Sequence, residues 1–435
     1  MSDSDRASAP AITEIAALSP WELEEWIQQH GHPRYRALQL LEALHGRGVR
    51  VPAEITVLPA ALREQLQRET LHRPLRCAQV KRSTDGTRKY QFQTHDGHLI
   101  ESVWIPNVSR PGRHALCISS QVGCAMGCRF CATAALKLKR HLSAGEITAQ
   151  VHGVLGDLLC HSERLSCHSE RSEESPHVSA PSLVTPAKAG VLPRCARQDD
   201  RKGDQNAGGA PASHTGAESL GKQRGTAPVT RWIDNIVYMG MGEPLHNVEQ
   251  VIRSIQLLTH PRGLGLAPRR ITVSTSGIVP AISQLLEQTQ VHLAISLNAT
   301  TDDVRSGIMP VNRKWNLATL METCRNLPLG RRRRITFEYV LLAGVNDTPQ
   351  DAQRLRQLLR GLPFCRVNLI PFNPHPLSPF KRPEPAHVLA FQQQVRGSGN
   401  LVFIRRTRGD DVDAACGMLH PQNKPRIRGI DEIVG

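Results

Sequence analysis

The feature that most restricts the fold of this chain is an alternation of strand-like and helix-like segments that begins near residue 114. Strands are predicted at 115–119, 234–240, 270–275, 291–297, 335–342 and 366–371, and helices at 144–158, 248–259, 279–287, 317–326 and 350–360. Such alternation is typical of a parallel sheet whose crossovers are helices. We therefore predict an α/β fold in which six units close partly into a TIM-like (β/α)6 barrel, with its active site at the carboxyl ends of the strands.

Other regions flank the predicted barrel. Short amphipathic helices fill the amino-terminal region, where Ser19 is the predicted N-cap of a helix that has Pro20 in its first turn. Alternating apolar and polar residues, as at 99–105, indicate a small β unit after these helices. The predicted domains are a small helical domain at 1–76, a β extension at 77–113, the barrel at 114–400 and a carboxyl-terminal segment at 401–435.

Residues 161–230 do not fit the alternating pattern. They contain no Phe, Tyr or Trp and are rich in Ser, Ala, Gly and Pro, and the sequence Cys-His-Ser-Glu-Arg at 160–164 recurs at 167–171. A segment with so few core-forming residues is not expected to fold by itself. We predict a mostly disordered insertion in a surface loop of the barrel, and a metal-binding tract built from its Cys and His residues is the alternative.

The strongest chemical signal is a group of three cysteines directly after the first predicted barrel strand. Cys124, Cys128 and Cys131 have the spacing C-x3-C-x2-C, and Phe130 precedes the last of them. Thiolate sulfur suits iron and sulfide, so three thiolates on one short loop favour an iron–sulfur cluster. A [4Fe–4S] cluster normally has four protein ligands, and three leave one iron with an open position for a substrate or cofactor.

A zinc site and merely structural cysteines are the alternatives for this run. A structural zinc site would normally take a fourth Cys or His at a short, fixed offset. The nearest downstream histidine is His141, and no second C-x2-C sequence lies nearby. The spacing therefore favours a cluster over zinc.

Polar residues stand at the ends of the later predicted strands. The second strand ends in Tyr238-Met-Gly-Met-Gly-Glu-Pro244, where glycine lets a ligand approach the backbone and Glu243 offers a carboxylate. Each of these residues taken alone is more often a turn residue, but side chains at successive strand ends converge in a barrel. The candidate cofactor-binding residues are Gly242, Glu243, Ser274, Ser296, Leu297, Asn298 and Asn373.

Two further cysteines lie outside the cluster run. Cys117 falls inside the first predicted barrel strand, where a single cysteine is most simply a small buried hydrophobe. Cys416 follows the sequence Gly409-Asp-Asp near the carboxyl end, and these residues indicate an exposed loop. Packing is therefore a weaker explanation for Cys416 than for Cys117.

The chain is strongly basic and shows no sign of export. Its 435 residues include 54 basic and 39 acidic side chains, which gives a net charge of +15. This excess suggests a polyanionic partner, most simply nucleic acid, and a merely basic protein is the alternative. The start of the chain is polar and acidic, no apolar run approaches the length of a membrane span, and its eleven cysteines indicate thiol or metal chemistry in a reducing compartment. We expect a cytoplasmic protein without a membrane partner.

These segments together resemble a known family. The cysteine run is similar to that of the radical S-adenosylmethionine (SAM) superfamily, in which the open iron binds SAM and one electron splits it to a 5′-deoxyadenosyl radical. A larger set resembles the RlmN/Cfr family of radical SAM RNA methyltransferases, over nearly the whole chain apart from residues 161–230. That set comprises Cys117, the cysteine run, Gly240-Met-Gly-Glu-Pro244, Thr336-Phe-Glu-Tyr-Val340, Ala343-Gly-Val-Asn-Asp347 and the Cys416 segment.

The resemblance implies a role for each candidate residue. In that family one SAM methylates a cysteine that matches Cys416, and a second SAM supplies the radical that takes hydrogen from the S-methyl group. The resulting S–CH2 radical adds to an adenine ring carbon, a carboxylate matching Glu101 accepts the ring proton, and a cysteine matching Cys117 forms a disulfide that releases the product. Cys124, Cys128 and Cys131 would hold the [4Fe–4S] cluster, and the strand-end residues would hold SAM.

The resemblance also implies partners and a target. The expected substrate is C2 of adenine in 23S ribosomal RNA and in transfer RNA, with an RNA-binding amino-terminal domain, an electron donor such as flavodoxin and a monomeric enzyme. Methylation at C8 of ribosomal RNA adenine is the alternative within the family. A basic RNA-binding protein whose cysteines hold a structural metal is the alternative from another class. Candidate phosphate contacts, which can equally be solvated charged faces, are Arg269-Arg270, Arg331–Arg334 and Arg405-Arg406.

Overall fold

A computed structural model gives the architecture of most of the chain. It describes residues 13–73, 75–107, 113–169, 232–328, 334–362, 365–396 and 401–421, without the side chains of 161–169. Contacts divide the chain into a main unit, 1–160 with 226–435, and a second unit, 161–225. The predicted insertion beyond residue 169 and three of the predicted phosphate contacts, Arg331–Arg333, lie outside the described residues.

Helices and strands alternate through most of the main unit. The described α-helices are α1 (Pro20–Gln29), α2 (Tyr35–Leu41), α3 (Ala60–Glu69), α4 (Ala132–Ala135), α5 (Ala144–Ser169), α6 (Val248–Thr259), α7 (Val279–Gln288), α8 (Asp302–Ile308), α9 (Leu317–Asn326), α10 (Pro349–Leu358) and α11 (Pro385–Arg396). The described strands are β1 (Thr13–Glu14), β2 (Thr70–Leu71), β3 (Arg76–Arg82), β4 (Arg88–Gln93), β5 (Leu99–Pro106), β6 (His114–Cys117), β7 (Gln121–Val122), β8 (Arg140–His141), β9 (Asn235–Tyr238), β10 (Ile271–Thr275), β11 (His292–Ser296), β12 (Ile335–Leu341), β13 (Cys365–Pro371) and β14 (Leu401–Ile404).

One ten-stranded sheet frames the main unit, in the order β14-β13-β12-β11-β10-β9-β6-β5-β4-β3. From β6 to β14 every neighbouring pair is parallel, and the strands follow one another in chain order. This is the order that right-handed strand–helix crossovers give when a sheet curves toward a barrel. The predicted α/β fold class is confirmed.

Two features of the sheet differ from the prediction. A seventh parallel strand, β14, comes from the predicted carboxyl-terminal segment and pairs with β13. The β extension is an antiparallel meander of β3, β4 and β5 that joins the barrel through β5 and β6, so both form one continuous sheet. The sequence analysis predicted no strand at β14, and strand pairing depends on contacts that are distant along the chain.

Helix α5 ends later than predicted. The periodicity suggested an end at 158, whereas the helix continues to Ser169, into the first residues of the predicted insertion. No Gly or Pro occurs from 157 to 169 to stop it. The composition of the insertion therefore did not mark the point where regular structure ends.

The amino-terminal helices have an apolar core of their own that continues onto the barrel. Ser19 caps α1 as predicted, and its backbone N–H donates a 2.8 Å hydrogen bond to the Glu22 carboxylate, which completes a capping box. Leu23 and Ile27 of this helix are buried in a cluster that includes Leu257 of α6. None of the described helices has the length and apolar character needed to cross a membrane.

Candidate active site

A cavity of about 150 Å³ lies at the carboxyl ends of the barrel strands. The three cysteines of the run after β6 line it, together with most of the polar residues predicted at the later strand ends. The lining residues from the predicted set are Cys124, Cys128, Cys131, Gly242, Glu243, Ser274, Ser296, Asn298, Asn373 and Cys416. We call this space the cofactor cavity.

Leu297 is the predicted cofactor contact that does not line the cofactor cavity. Its side chain is fully buried. Its backbone N–H donates to the carbonyl of Glu338 at 3.0 Å, and its carbonyl accepts from Arg305 Nε at 2.9 Å. Both backbone polar groups are therefore used within the protein, and Leu297 supports its neighbours Ser296 and Asn298.

The loop of three cysteines is shaped by a glycine and fixed to the Cys416 segment. Gly123 has φ +74°, and a Cβ there would lie 1.8 Å from the Lys137 carbonyl oxygen, so only glycine fits. After the loop, the backbone N–H of Ala132 donates to the carbonyl of Gly417 at 2.8 Å. The Thr133 hydroxyl donates to the carbonyl of Leu419 at 2.6 Å. The predicted cluster loop and the Cys416 segment are thus held together.

Burial raises the pKa of all three thiols of the loop, and neighbouring thiols add to the shift at Cys124 and Cys128. Burial raises the pKa of Cys124 to about 12, with Glu243 and Cys131 adding to the shift. Burial raises the pKa of Cys128 well above its ordinary value, and Cys131 and Cys124 again add to it. Thiolates in such a group need a cation to be stable, and iron supplies one.

No group of three or more His, Cys, Asp or Glu in the described ranges is placed to hold a single metal ion. An iron–sulfur cluster makes a different demand, because it is held by several cysteine thiolates that bind its different irons. The three loop thiols are available for such binding, since none of them forms a disulfide in the structure.

Glu243 links the carboxyl ends of β9 and β10 at the edge of the cofactor cavity. Its side chain is buried, and one carboxylate oxygen accepts from the backbone N–H of Ser276 at 2.7 Å while the other accepts from that of Leu245 at 3.1 Å. Burial raises the pKa of this carboxyl, and the backbone N–H donors oppose the rise. Gly242 before it has φ +102°, and a Cβ there would lie 2.5 Å from the side chain of Gln121.

Asn298 turns the chain sharply after β11. It has φ +57°, a left-handed conformation that asparagine tolerates better than most residues. Its Oδ1 accepts from the backbone N–H of Val340 at 2.8 Å, and its backbone carbonyl accepts from the Asn346 side chain at 2.7 Å. These bonds hold the ends of β11 and β12 side by side under the cavity.

A second cavity of about 90 Å³ adjoins the first. Cys416 lines both cavities, whereas Cys117, at the end of β6, lines only the second. Neither Cys117 nor Cys416 forms a disulfide in the structure. Burial raises the pKa of Cys117 to about 12, Cys416 adds to the shift, and Arg405 opposes it. Sequence patterns alone explained Cys117 as packing, but the fold places it beside Cys416.

Glu101, the predicted proton acceptor, lines neither cavity. It is buried on β5, where one carboxylate oxygen lies 3.4 Å from the ammonium of Lys89 and the other has no hydrogen-bond partner among the described residues. Burial raises the pKa of Glu101, while Lys89 opposes the rise. Lys89 also donates to the carbonyl of Asp413 at 3.1 Å. Glu101 is therefore tied to the Cys416 segment through Lys89.

Among the polar residues of the cofactor cavity that sequence reasoning missed, Glu338 and Ser276 have buried oxygens without a partner in the described part of the chain. Glu338 of β12 is buried, accepts from Asn368 at 2.9 Å and lies 4.0 Å from Arg405, and its second carboxylate oxygen has no hydrogen-bond partner in the described part of the chain. The Ser276 hydroxyl is likewise buried and without a partner there. The single carboxylate within the mostly apolar strand 335–342 was the available signal for Glu338.

Comparison with known proteins shows which family this chain resembles. No protein-family model matches the chain. The chain is 39% identical to the dual-specificity RNA methyltransferase RlmN of Syntrophobacter fumaroxidans, over 92% of this chain and 95% of the relative. It is 40% identical to the RlmN of Sorangium cellulosum, over 93% and 96%, and 40% identical to that of Geobacter sulfurreducens, over 94% and 92%.

A solved structure agrees with these relatives. The crystal structure of a radical SAM methyltransferase from Sphaerobacter thermophilus matches with a TM-score of 0.70 and 36% identity, and the match covers 94% of this chain and 99% of that one. Identity at this level over nearly the full length of both chains shows family membership. The predicted enzyme class and fold are confirmed, and the chain belongs to the RlmN family of radical SAM RNA methyltransferases.

Proposed function

We propose that this enzyme methylates C2 of adenine in 23S ribosomal RNA and in transfer RNA, with Cys416 as the methyl carrier. The observation that supports this most is the position of Cys416, which lines both the cavity of the three loop cysteines and the cavity of Cys117. One thiol can therefore receive a group on one side and pass it on at the other. The relatives' name, dual-specificity RNA methyltransferase, supports two classes of RNA.

The family implies a [4Fe–4S] cluster and SAM, and the residues of the cofactor cavity fit both. In our proposal Cys124, Cys128 and Cys131 hold the cluster. The unpartnered oxygens of Glu338 and Ser276 show that the cavity wall has acceptor capacity left for a polar ligand. When bound, the cluster and two SAM molecules per turnover supply a methyl group and a hydrogen-abstracting radical. The residues proposed to hold SAM are Gly242, Glu243, Ser274, Ser296, Asn298 and Asn373.

The protein's own residues would act in sequence on the carrier sulfur. Burial raises the pKa of the Cys416 thiol and Arg405 opposes the rise, so Arg405 favours the thiolate that accepts a methyl group. Glu101 would take the proton that adenine C2 loses when the methylene carbon binds there, and the unpaired electron left on the ring would pass to a one-electron acceptor, which the oxidised cluster would supply. The Cys117 sulfur would then bond to the Cys416 sulfur, the S–CH2 bond would break, and its electron pair would take a proton to complete the methyl group.

A radical route is needed because of the substrate. Adenine C2 is an electron-poor ring carbon and a poor nucleophile toward the methyl group of SAM, whereas a carbon radical can add to it. The base must also leave its stack to reach an enclosed site. We further propose a cytoplasmic, monomeric enzyme that binds RNA with its amino-terminal helical domain and receives electrons from a donor such as flavodoxin.

The two thiols outside the cluster loop give the test of this proposal. Cys416→Ala should form neither product nor RNA adduct, because no carrier remains. Cys117→Ala should form the bond between Cys416 and adenine but fail to break it, so the protein should co-purify with covalently bound RNA. After nuclease digestion, mass spectrometry should find a nucleotide mass on the peptide that contains Cys416. Nucleoside analysis of RNA treated with the wild type should find the new methyl group at C2.

Three outcomes would contradict parts of the proposal. Normal turnover by Cys117→Ala would exclude the two-thiol mechanism. A methyl group at C8 would be consistent with the two-thiol mechanism but would show that C2 is not the target carbon. Stoichiometric zinc, without iron or sulfide, in protein reconstituted anaerobically would contradict the cluster.

A further inference from the structure

The segment that leads to Cys416 has two neighbours in the main unit. Directly after Cys416, the carbonyl of Gly417 accepts from the backbone N–H of Ala132, which follows the cluster loop. Before Cys416, residues 408–413, which we call the carrier loop, contact the antiparallel meander of β3, β4 and β5. Part of this contact is made by the β3–β4 turn, residues 83–87. The proposed reaction uses one carboxylate of this meander and gives its turns no role.

The β3–β4 turn and the carrier loop exchange a reciprocal pair of hydrogen bonds. The backbone N–H of Gly409 donates to Asp85 Oδ2 at 3.1 Å. In return, the backbone N–H of Thr84 donates to Asp411 Oδ2 at 3.0 Å. Arg408 Nη1 lies 3.7 Å from the same Asp85 oxygen and adds a favourable charge contact. Each segment therefore supplies a carboxylate to the backbone of the other, and bonds to an ionised acceptor are stronger than bonds between neutral groups.

The close approach of the two segments depends on a glycine. Gly409 has φ +63°, and a Cβ there would lie 2.7 Å from the Cβ of Ala414 and 2.9 Å from Cγ2 of Thr87. Its carbonyl accepts from the backbone N–H of Ala414 at 2.8 Å, which closes a tight loop. At the far end of this loop, Lys89 of β4 donates to the carbonyl of Asp413 at 3.1 Å. The meander therefore holds the loop at both ends, just ahead of the carrier thiol.

Asp85 uses one oxygen for its own turn and the other for the carrier loop. Oδ1 accepts from the backbone N–H of Thr87 at 2.9 Å, in an Asx turn that Asp and Asn both form. Oδ2 accepts from Gly409. The β4–β5 turn of the same meander also has an Asp-Gly pair, but its carboxylate, Asp96, bonds to Arg140 instead. The bond to the carrier loop is therefore a property of Asp85 that formation of the turn does not require.

We propose that Asp85 is a positioning residue for the methylation reaction, and that the β3–β4 turn holds the carrier loop so that the Cys416 sulfur stays where the two cavities adjoin. This inference rests on the proposed function, because that function makes Cys416 the methyl carrier. A thiol that reacts in turn with groups on two sides must stay within reaction distance of both. A displacement of about 1 Å can lower a rate by on the order of 100-fold.

Asp85→Asn separates the turn from the contact with the carrier loop. Asparagine keeps one oxygen for the Asx turn, but its NH2 group replaces the oxygen that faces the backbone N–H of Gly409, so two donors face each other. Asp96→Asn is the matched control, because it changes the carboxylate of the other Asp-Gly turn, which bonds to Arg140. The first readout is alkylation of Cys416 by iodoacetamide in the reconstituted enzyme before SAM is added, measured by mass spectrometry of its peptide.

The expected result is a change confined to Cys416. In Asp85→Asn the Cys416 thiol should be alkylated at least about threefold faster than in the wild type, because a loop that opens more often exposes its sulfur more often. Cys77, exposed on β3, is the internal reference and should react at the wild-type rate. S-methylation of Cys416 at saturating SAM should slow by about tenfold. SAM binding and dithionite-driven SAM cleavage need no carrier sulfur and should keep their wild-type values, and Asp96→Asn should match the wild type throughout.

Asp411→Ala gives a second test that leaves the β3–β4 turn unchanged. It removes the reciprocal bond to Thr84, so it should raise the alkylation rate of Cys416 by at least about twofold. Asp410→Ala is the matched control, because this neighbouring aspartate is also exposed and its carboxylate has no hydrogen bond or ion pair to any residue that the structure describes. Asp410→Ala should keep the wild-type rate of alkylation.

Three outcomes decide the proposal. Wild-type alkylation and S-methylation of Cys416 in both Asp85→Asn and Asp411→Ala would overturn it. An equal loss of SAM binding, SAM cleavage and S-methylation would also overturn it, because the turn would then support the whole fold and not the carrier thiol. If the wild type never methylates Cys416, the proposed function fails, whereas the alkylation rates still decide whether the turn holds the carrier loop.

Discussion

The side-chain amide of Asn373 donates a 3.1 Å hydrogen bond to the backbone carbonyl of Cys416. The same side chain accepts, through Oδ1, from Arg382 at 2.6 Å and from the Thr407 hydroxyl at 3.0 Å. Asn373 is thereby fixed on one side and holds the Cys416 segment on the other. A residue selected from the sequence as a cofactor contact also positions Cys416.

Asn373→Asp should separate this positioning role from cofactor binding. Aspartate keeps the acceptors for Arg382 and Thr407 but loses the donor to Cys416. The loss of one hydrogen bond costs about 1 kcal/mol, so the rate of Cys416 S-methylation should fall about fivefold. Mass spectrometry of the Cys416 peptide over time measures it. Asn316→Asp at the N-cap of α9, where Asp also caps, is the control. A wild-type rate for Asn373→Asp would contradict the role.

Single substitutions of the cluster cysteines should each abolish cluster assembly. With Cys124, Cys128 or Cys131 changed to Ala, only two thiols of the loop remain to hold a cluster. Iron and sulfide content and the visible absorbance after anaerobic reconstitution measure the loss. Cys324→Ala on α9 is the matched control, because Cys324 is buried but does not line the cavity. A complete cluster spectrum in any of the three variants would show that the ligand set is wrong.

The buried pair of Lys89 and Glu101 should show a large penalty when only one partner is removed. Both side chains are buried and their charged atoms lie 3.4 Å apart. Lys89→Met leaves an uncompensated carboxylate and should lower the free energy of unfolding by about 3 kcal/mol in urea denaturation. Adding Glu101→Gln removes the buried charge and should recover at least half of that loss. If the double variant is no more stable than Lys89→Met, the pair is not energetically coupled.

His45 should make the protein less stable in mild acid. Burial lowers its pKa from 6.5 to about 3, with Arg50 and His260 adding to the shift. Below pH 6.5 the His45 ring is protonated in the unfolded chain but stays neutral in the folded chain. The free energy of unfolding therefore decreases as pH falls toward 3. His45→Gln removes this pH-dependent contribution. When the pH is lowered from 8 to 5, the unfolding free energy of the variant relative to that of the wild type should rise by about 2 kcal/mol.

The unfolding free energy of both proteins is measured at pH 8 and at pH 5. The difference between the variant and the wild type isolates the contribution of His45, because the contributions of titratable groups that both proteins share cancel. Glu14 is one such group, since burial raises its pKa to about 7 and its effect has the opposite sign. Parallel curves for His45→Gln and the wild type would show that His45 is not buried in its neutral form.

The sequence by itself determined what was local. Apart from the end of α5 and the strand β14, strand and helix patterns placed the predicted barrel elements within a few residues, because apolar periodicity is set by each element's own geometry. The spacing of Cys124, Cys128 and Cys131 indicated a cluster site, since three ligands on one short loop must lie close together. The segments around Cys117 and Cys416 carried a family resemblance that the relatives confirm.

The tertiary structure decided what depends on distant pairing. Cys117 and Cys416 are almost 300 positions apart, and only the closure of the sheet from β6 to β14 places both at one cavity. The pairing of β14 with β13, the burial of Lys89 against Glu101 and the unpartnered oxygen of Glu338 likewise follow from packing that no local pattern encodes. For Leu297 the local pattern was misleading. Its position at a strand end suggested a ligand contact, but in the fold its backbone N–H and carbonyl both form hydrogen bonds within the protein.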